Sequence, residues 1–195
     1  MVKIMKKNDI TNFIKILKEA YPDATCSLDF ETPFQIVVAV MLSAQCTDER
    51  VNKTTPELFK RCPTIKNFAD IDIKELEEVI HPCGFYRNKA KNIKLCAKQV
   101  LEKFNGEVPK TMDELLTLAG VGRKSANVIL LEAFGIANGI AVDTHVKRVS
   151  NRIGLSHEKG PEKIEQDLLK IFLNICCGII SCLAISWLYP LKIKS

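Results

Sequence analysis

Ten residues constrain this chain more than any others: Leu118-Ala119-Gly120-Val121-Gly122-Arg123-Lys124-Ser125-Ala126-Asn127. Two glycines one residue apart predict a tight turn, because glycine enters backbone regions that a side chain forbids. Ahead of the turn, Thr111-Met112-Asp113-Glu114 has the spacing of a capping box that starts a short helix. Behind it, Ala126, Ile129, Leu130 and Ala133 recur at helical spacing. The unit is helix, Gly-Val-Gly hairpin, helix. The backbone N–H groups of Gly122 to Lys124 then sit at a helix N-terminus, where an anion is favoured. Such a module suits a nucleic-acid backbone, although the same ten residues also describe an ordinary helix–helix connection.

Further along runs Ile140-Ala141-Val142-Asp143-Thr144-His145-Val146-Lys147-Arg148-Val149, which puts Asp143 nineteen positions after Lys124. Leu42-Ser43-Ala44-Gln45-Cys46-Thr47-Asp48, Gly84-Phe85-Tyr86-Arg87-Asn88-Lys89-Ala90 and Asn105-Gly106-Glu107-Val108-Pro109 precede the hairpin. In this order and at these intervals the motifs closely resemble the endonuclease III branch of the helix–hairpin–helix DNA glycosylases. The resemblance runs from about residue 10 to about residue 172.

The resemblance implies an all-α fold in which two helical domains flank a DNA-binding cleft. Carried over, residues 26–138 form a six-helix domain with the helix–hairpin–helix near 111–135. Residues 1–25 and 139–195 form the second domain. By the same resemblance Lys124 is the nucleophile and Asp143 the essential carboxylate. Such an amine attacks the sugar of a damaged nucleotide only when neutral, so partial burial and Arg123 are expected to depress the pKa of Lys124. The Schiff base that forms lets the 3′ phosphate leave by β-elimination. The alternative is that Lys124 only binds phosphate and Asp143 only caps the helix after it.

The target base must leave the duplex for this chemistry. Gln45 and Phe85 match the family's inserting positions, Gln45 to bond an exposed base edge and Phe85 to wedge between bases. A leucine is frequent at the second position, so Phe85 is a mild departure, and it would otherwise be a core residue. Gly120, Gly122, Arg123 and Arg148 are expected DNA contacts, with Lys89, Lys147 and Arg152 as further phosphate partners. The expected partner is double-stranded DNA with damaged bases or abasic sites, bound by a monomer.

Composition agrees with a polyanion partner. The chain has 195 residues, 47% hydrophobic, and a formal charge of +5, enough for one or two core-bearing domains. Of its eight cysteines, Cys26, Cys46, Cys62, Cys83 and Cys96 stand singly, which predicts buried reduced thiols. His81, His145 and His157 have no metal spacing. The Lys-rich N-terminus lacks an apolar signal segment. An intracellular setting follows, cytoplasmic or nucleoid-associated.

Taken in order, Ile10, Phe13, Ile14 and Leu17 predict an amphipathic helix over 9–21. Thr32-Pro33 caps and opens the next. The apolar run 34–42 fits a buried strand or a buried helix, and a helix is preferred because no partner strand is evident. Helices are expected to open at Thr55-Pro56 and at Asp72, and to run over 87–104, 143–153 and 161–172. Gly84, Arg87, Ala90 and Ile93 repeat the spacing of Gly120, Arg123, Ala126 and Ile129, too few positions to establish a repeat.

From about residue 173 the pattern changes. Residues 173–191 carry no charge. Family members usually have C-x6-C-x2-C-x5-C near the C-terminus, which holds a [4Fe–4S] cluster. Here Cys176, Cys177 and Cys182 stand at other spacings, so no cluster, metal or other cofactor is expected. The stretch has membrane-spanning length, but its Asn174, Ser181, Ser186 and Pro190 argue against an anchor. A one-base shift in the codons for 180–189 permits Phe-His-Ala-Trp-Leu-Phe-His-Gly-Tyr, similar to the family segment before the first cluster cysteine. The tail is therefore expected to be a frameshift product.

The function expected is base-excision repair, a DNA glycosylase with abasic-site lyase activity on oxidised pyrimidines. Two alternatives are a non-catalytic or unstable DNA-binding remnant and an adenine-mismatch glycosylase. The latter usually lacks the hairpin lysine, so Lys124 argues against it.

Overall fold

The computed structural model describes residues 7–20 and 26–175. Among the described residues the only regular structure is helical: α1 (Lys7–Ala20), α2 (Pro33–Ser43), α3 (Asp48–Arg61), α4 (Ile65–Asp70), α5 (Ile73–Ile80), a 3₁₀ turn (His81–Cys83), α6 (Tyr86–Lys103), α7 (Met112–Leu116), α8 (Arg123–Phe134), α9 (Thr144–Ile153) and α10 (Pro161–Ile175). The chain divides into two compact units, residues 27–136 and residues 1–26 with 137–195.

The first unit is built around α2. Every residue from Phe34 to Leu42 is buried, so the apolar run is a core helix. Helix is favoured at its start because Thr32 and Gln35 cap each other's backbone and Pro33 opens the first turn. Each buried Val, Leu or Ile side chain contributes about 1.5–3 kcal/mol. Helices α3, α6 and α8 pack on α2, and α6 also packs on α4 and α5. The apolar stripe of α6 is Ala90, Ile93, Cys96, Ala97 and Val100. Phe34 and Phe59 meet Phe68 edge-on, with ring centroids 5.4 Å and 6.4 Å apart.

Two expectations change here. The helix expected to open at Thr55-Pro56 opens at Asp48, capped by Thr47, and Pro56 lies inside it. Burial of Val51, Thr54, Thr55 and Leu58 on one face outweighs the hydrogen bond that proline forgoes. The short α4 has no long periodic signal in the sequence. It is set by the Thr64–Asn67 capping box and the buried Phe68 and Ala69.

The second unit contains α1, α9 and α10. Its buried residues include Ile10, Val146, Val149, Leu155, Ile164 and Leu168. The buried Glu165 carboxylate accepts from the Ile140 amide at 3.1 Å, which fixes the strand-like approach to α9. Ser156 Oγ donates to Asp167 at 2.8 Å and ties the α9–α10 connection to α10. The residues behind the expectations for a cluster, an anchor and a frameshift, from 176 onward, lie outside the described residues. Among those described, no helix is long and apolar enough to cross a membrane, and no three His, Cys, Asp or Glu side chains are grouped to hold a metal ion.

Candidate active site

The hairpin between α7 and α8 is held from both sides. Thr111 caps α7, accepting from the Glu114 amide at 3.3 Å. From α6, Gln99 accepts the Ala119 amide at 2.7 Å and donates to Thr117 O at 3.3 Å. Gln99 thus clamps the turn, a role that no sequence motif signals. Val121 N–H returns to Leu118 O at 3.2 Å and closes it. Val121 and Leu118 are buried beneath the turn.

The two glycines have different reasons. Gly120 has φ +76°, and a Cβ there would stand 2.6 Å from Met41 Cε and 3.0 Å from Asn92 Cβ. Gly122 has φ −99° and ψ 174°, open to any residue, so the expectation of a forbidden angle there is corrected. A Cβ at Gly122 meets nothing within 4 Å. What glycine gives at this position is open space in front of the α8 N-terminus. Gly122 is the N-cap and offers no side-chain bond. The first intrahelical bond runs from Ala126 N–H to Gly122 O at 2.8 Å, so the amides ahead of it face out of the helix end.

Arg123 and Lys124 open α8, and both are exposed. The expectation of a partly buried Lys124 is therefore corrected. A first-turn side chain leans toward the helix N-terminus and away from the packed face, here Ala126, Asn127, Ile129 and Leu130. Three cations or amide sets thus converge near one helix end: the α8 macrodipole, Arg123 and Lys124.

Asp143 belongs to the other unit. It is the N-cap of α9, half-buried, and its Oδ1 accepts from the Val146 amide at 2.7 Å. The capping role foreseen for it is real. Arg148, exposed on α9, has Nη2 3.3 Å from His145 Nδ1.

Gln45 and Phe85 share a backbone signature that the sequence did not reveal. Both are non-glycine residues in the left-handed region, with φ 55° and 48°. Both are exposed. Phe85 is 66% exposed, so it is not a core residue. Strained backbone and an apolar ring in solvent are each costly, and together they mark a working surface.

Lys89 differs from its expected place. It is buried, and its Nζ donates to Leu42 O at 2.8 Å and Cys83 O at 2.9 Å. It is therefore not a phosphate contact. Burial holds its amine below the usual lysine range. Its helical register with Ile93, Cys96 and Val100, all buried, was the signal in the sequence. Of the described cysteines, Cys62, Cys83 and Cys96 are buried and Cys26 and Cys46 half-buried, and no disulfide joins any of them. Burial pushes the Cys96 thiol up to about 12.

Known proteins share this sequence and geometry. Residues 38–173 match the family model of the HhH-GPD superfamily of base excision DNA repair proteins. Endonuclease III of Synechocystis sp. is 57% identical over 166 residues, covering 85% of this chain and 76% of that protein. Endonuclease III of Escherichia coli strain K12 is 41% identical over 167 residues, covering 86% and 79%. A solved non-covalent endonuclease III–DNA complex superposes with a TM-score of 0.89 at 39% identity, covering 98% of this chain and 90% of that one. A trapped endonuclease III–DNA covalent intermediate gives 0.86 at 40% identity, covering 95% and 86%.

Proposed function

This chain belongs to the HhH-GPD superfamily of base excision DNA repair proteins, and on that premise we propose how its residues excise a base. The activity is that of a base-excision repair DNA glycosylase and abasic-site lyase. Its partner is DNA. Membership and the relatives solved on DNA, one of them as a trapped covalent intermediate, support this activity over a non-catalytic remnant.

The observation that carries the residue-level reading is Lys124 standing exposed in the first turn of α8, four positions after the left-handed Gly120. The α8 amides, opened by the bare Gly122 N-cap, hold a DNA phosphate, with Arg123 and Arg148 as further contacts. Gln45 and Phe85 fill the space left by the extruded nucleotide. The neutral Lys124 amine attacks the anomeric carbon and the N-glycosidic bond breaks, its electron pair leaving with the base. Loss of the sugar-ring C–O bond gives the protonated Schiff base. A proton is then lost from the adjacent sugar carbon and the 3′ phosphate departs with the C–O electron pair. Asp143, fixed by its bond to Val146 N–H, stabilises the cationic sugar.

The substrates are oxidised pyrimidines and abasic sites in duplex DNA, handled by a monomer inside the cell beside its chromosome. The family's [4Fe–4S] cluster does not fit the cysteines Cys176, Cys177 and Cys182, and no step above runs through it. Borohydride trapping on duplex DNA with an abasic site tests the reading. Wild-type protein is expected to form a covalent adduct and Lys124→Ala to form none while still binding DNA. Undiminished trapping in Lys124→Ala removes the lysine from its role.

A further inference from the structure

Lys89 does nothing in the chemistry above, yet the fold commits a buried ammonium to it at 7% exposure. A lysine is rarely buried without bonded partners. Its two carbonyl partners come from segments far apart in sequence. Leu42 is in the last turn of α2, where carbonyls run out of intrahelical donors and a cation is favoured by the helix dipole. Cys83 ends the 3₁₀ turn before α6.

Each of these segments leads at once into a strained exposed residue. Gln45 follows Leu42 by three positions and has φ 55°. Phe85 follows Cys83 by two, after Gly84 at φ 69°, and has φ 48°. Left-handed backbone at a side-chain-bearing residue persists only where the surroundings hold it. Other bonds brace the same two turns. Cys46 N–H donates to Ser43 O at 3.0 Å, and Arg50 Nη1 reaches Pro82 O at 3.4 Å. Lys89 bonds both turns at once through one nitrogen atom.

We propose that Lys89 is a positioning residue for opening the duplex: its ammonium locks the Gln45 and Phe85 turns into one rigid pair of probes. The proposal rests on the assignment of Gln45 and Phe85 as inserting residues. Locking places the ordering of two turns ahead of DNA binding, so less is lost when the probes enter the stack. Removing the lock slows the step that needs insertion. Chemistry on a nucleotide that is already unstacked stays as it was.

The test uses Lys89→Met, which keeps the stem and removes all three donors, and Gln45→Ala/Phe85→Ala, with and without Lys89→Met. Single-turnover excision is measured on a duplex with one oxidised pyrimidine. Borohydride trapping is measured on a single-stranded abasic oligonucleotide. A 2-aminopurine opposite an abasic analogue reports insertion by its fluorescence. Lys89→Met is expected to lose about tenfold in duplex excision and most of the fluorescence change, with single-strand trapping within about twofold. In the Gln45→Ala/Phe85→Ala background it adds no further loss, because the three residues act as one unit.

Wild-type duplex rates in Lys89→Met overturn the proposal, and so does an equal loss on both substrates, which marks general damage. If Gln45→Ala/Phe85→Ala leaves duplex excision intact, the inserting assignment fails first and the proposal with it. Should Lys89→Met not fold, Lys89→Gln, with an amide donor at shorter reach, carries the same comparison. Failure of both to fold overturns the proposal by making Lys89 a residue of the fold alone.

Discussion

Replacing each hairpin glycine by alanine separates backbone need from ligand approach. At Gly120, φ +76° costs an alanine about 1–2 kcal/mol. The new methyl also meets Met41 Cε at 2.6 Å and Asn92 Cβ at 3.0 Å. Met41 ends in a flexible thioether and can swing, but Asn92 Cβ is anchored to α6, so overpacking adds about 1–2 kcal/mol. Reduced freedom of the unfolded chain returns about 0.4–1 kcal/mol. The net loss is about 2–3 kcal/mol, or about 5–10 °C in Tm for a chain of this size. At Gly122 the angle is ordinary and the space empty, so the same substitution changes Tm by about 2 °C or less. Its methyl instead stands before the α8 N-terminus and is expected to weaken binding to abasic-analogue DNA about tenfold. Circular dichroism melts and a fluorescence anisotropy titration measure both quantities. Equal melting of the two variants would refute the reasoning, as would a Gly122→Ala protein that binds DNA normally.

Asp143→Asn keeps a good N-cap for α9, so its Tm should stay within about 2 °C of wild type while base release slows about 10²-fold; near-normal turnover would reduce Asp143 to a cap. Burial raises the Glu132 carboxyl above its ordinary 4.5. Between that value and the raised one the folded state binds more protons than the unfolded, so stability falls as pH rises through the window. Glu132→Gln lacks this dependence and should gain on wild type as pH climbs past it in urea melts; a pH-independent difference would contradict the burial. Iron and sulfide analysis after anaerobic purification is expected to find neither, and about four iron per chain would show that some ligand set had assembled a cluster.

Much of the fold was legible because local signals and burial agree. Thr32-Pro33 announced α2, Asp72 announced α5, and the Gly120–Gly122 stretch announced the hairpin. Pro56 misled because tertiary burial of one face of α3 overrides a breaker that local rules treat as a boundary. At the site, the positions of Lys124 and Asp143 followed from motif spacing. The left-handed angles of Gln45 and Phe85 did not, since neither residue type demands them. Gln99 stayed hidden for another reason. It bonds a carbonyl eighteen positions away, and a long-range partner leaves no local trace, whereas the burial of Lys89 was written in its register with Ile93, Cys96 and Val100.

The division of the chain into 27–136 and its two flanks sets an order of events at the ribosome. Helix α1 emerges first, but the partners within its unit begin only at residue 137. At about 5–20 residues per second, synthesis of the intervening segment takes roughly 5–20 s. During that interval residues 27–136 have everything needed to collapse around α2. The apolar side chain of Ile10 meanwhile waits for a unit that does not yet exist. Helix α1 is thus open to chaperones and proteases during that interval, and its closure records that translation has passed the hairpin.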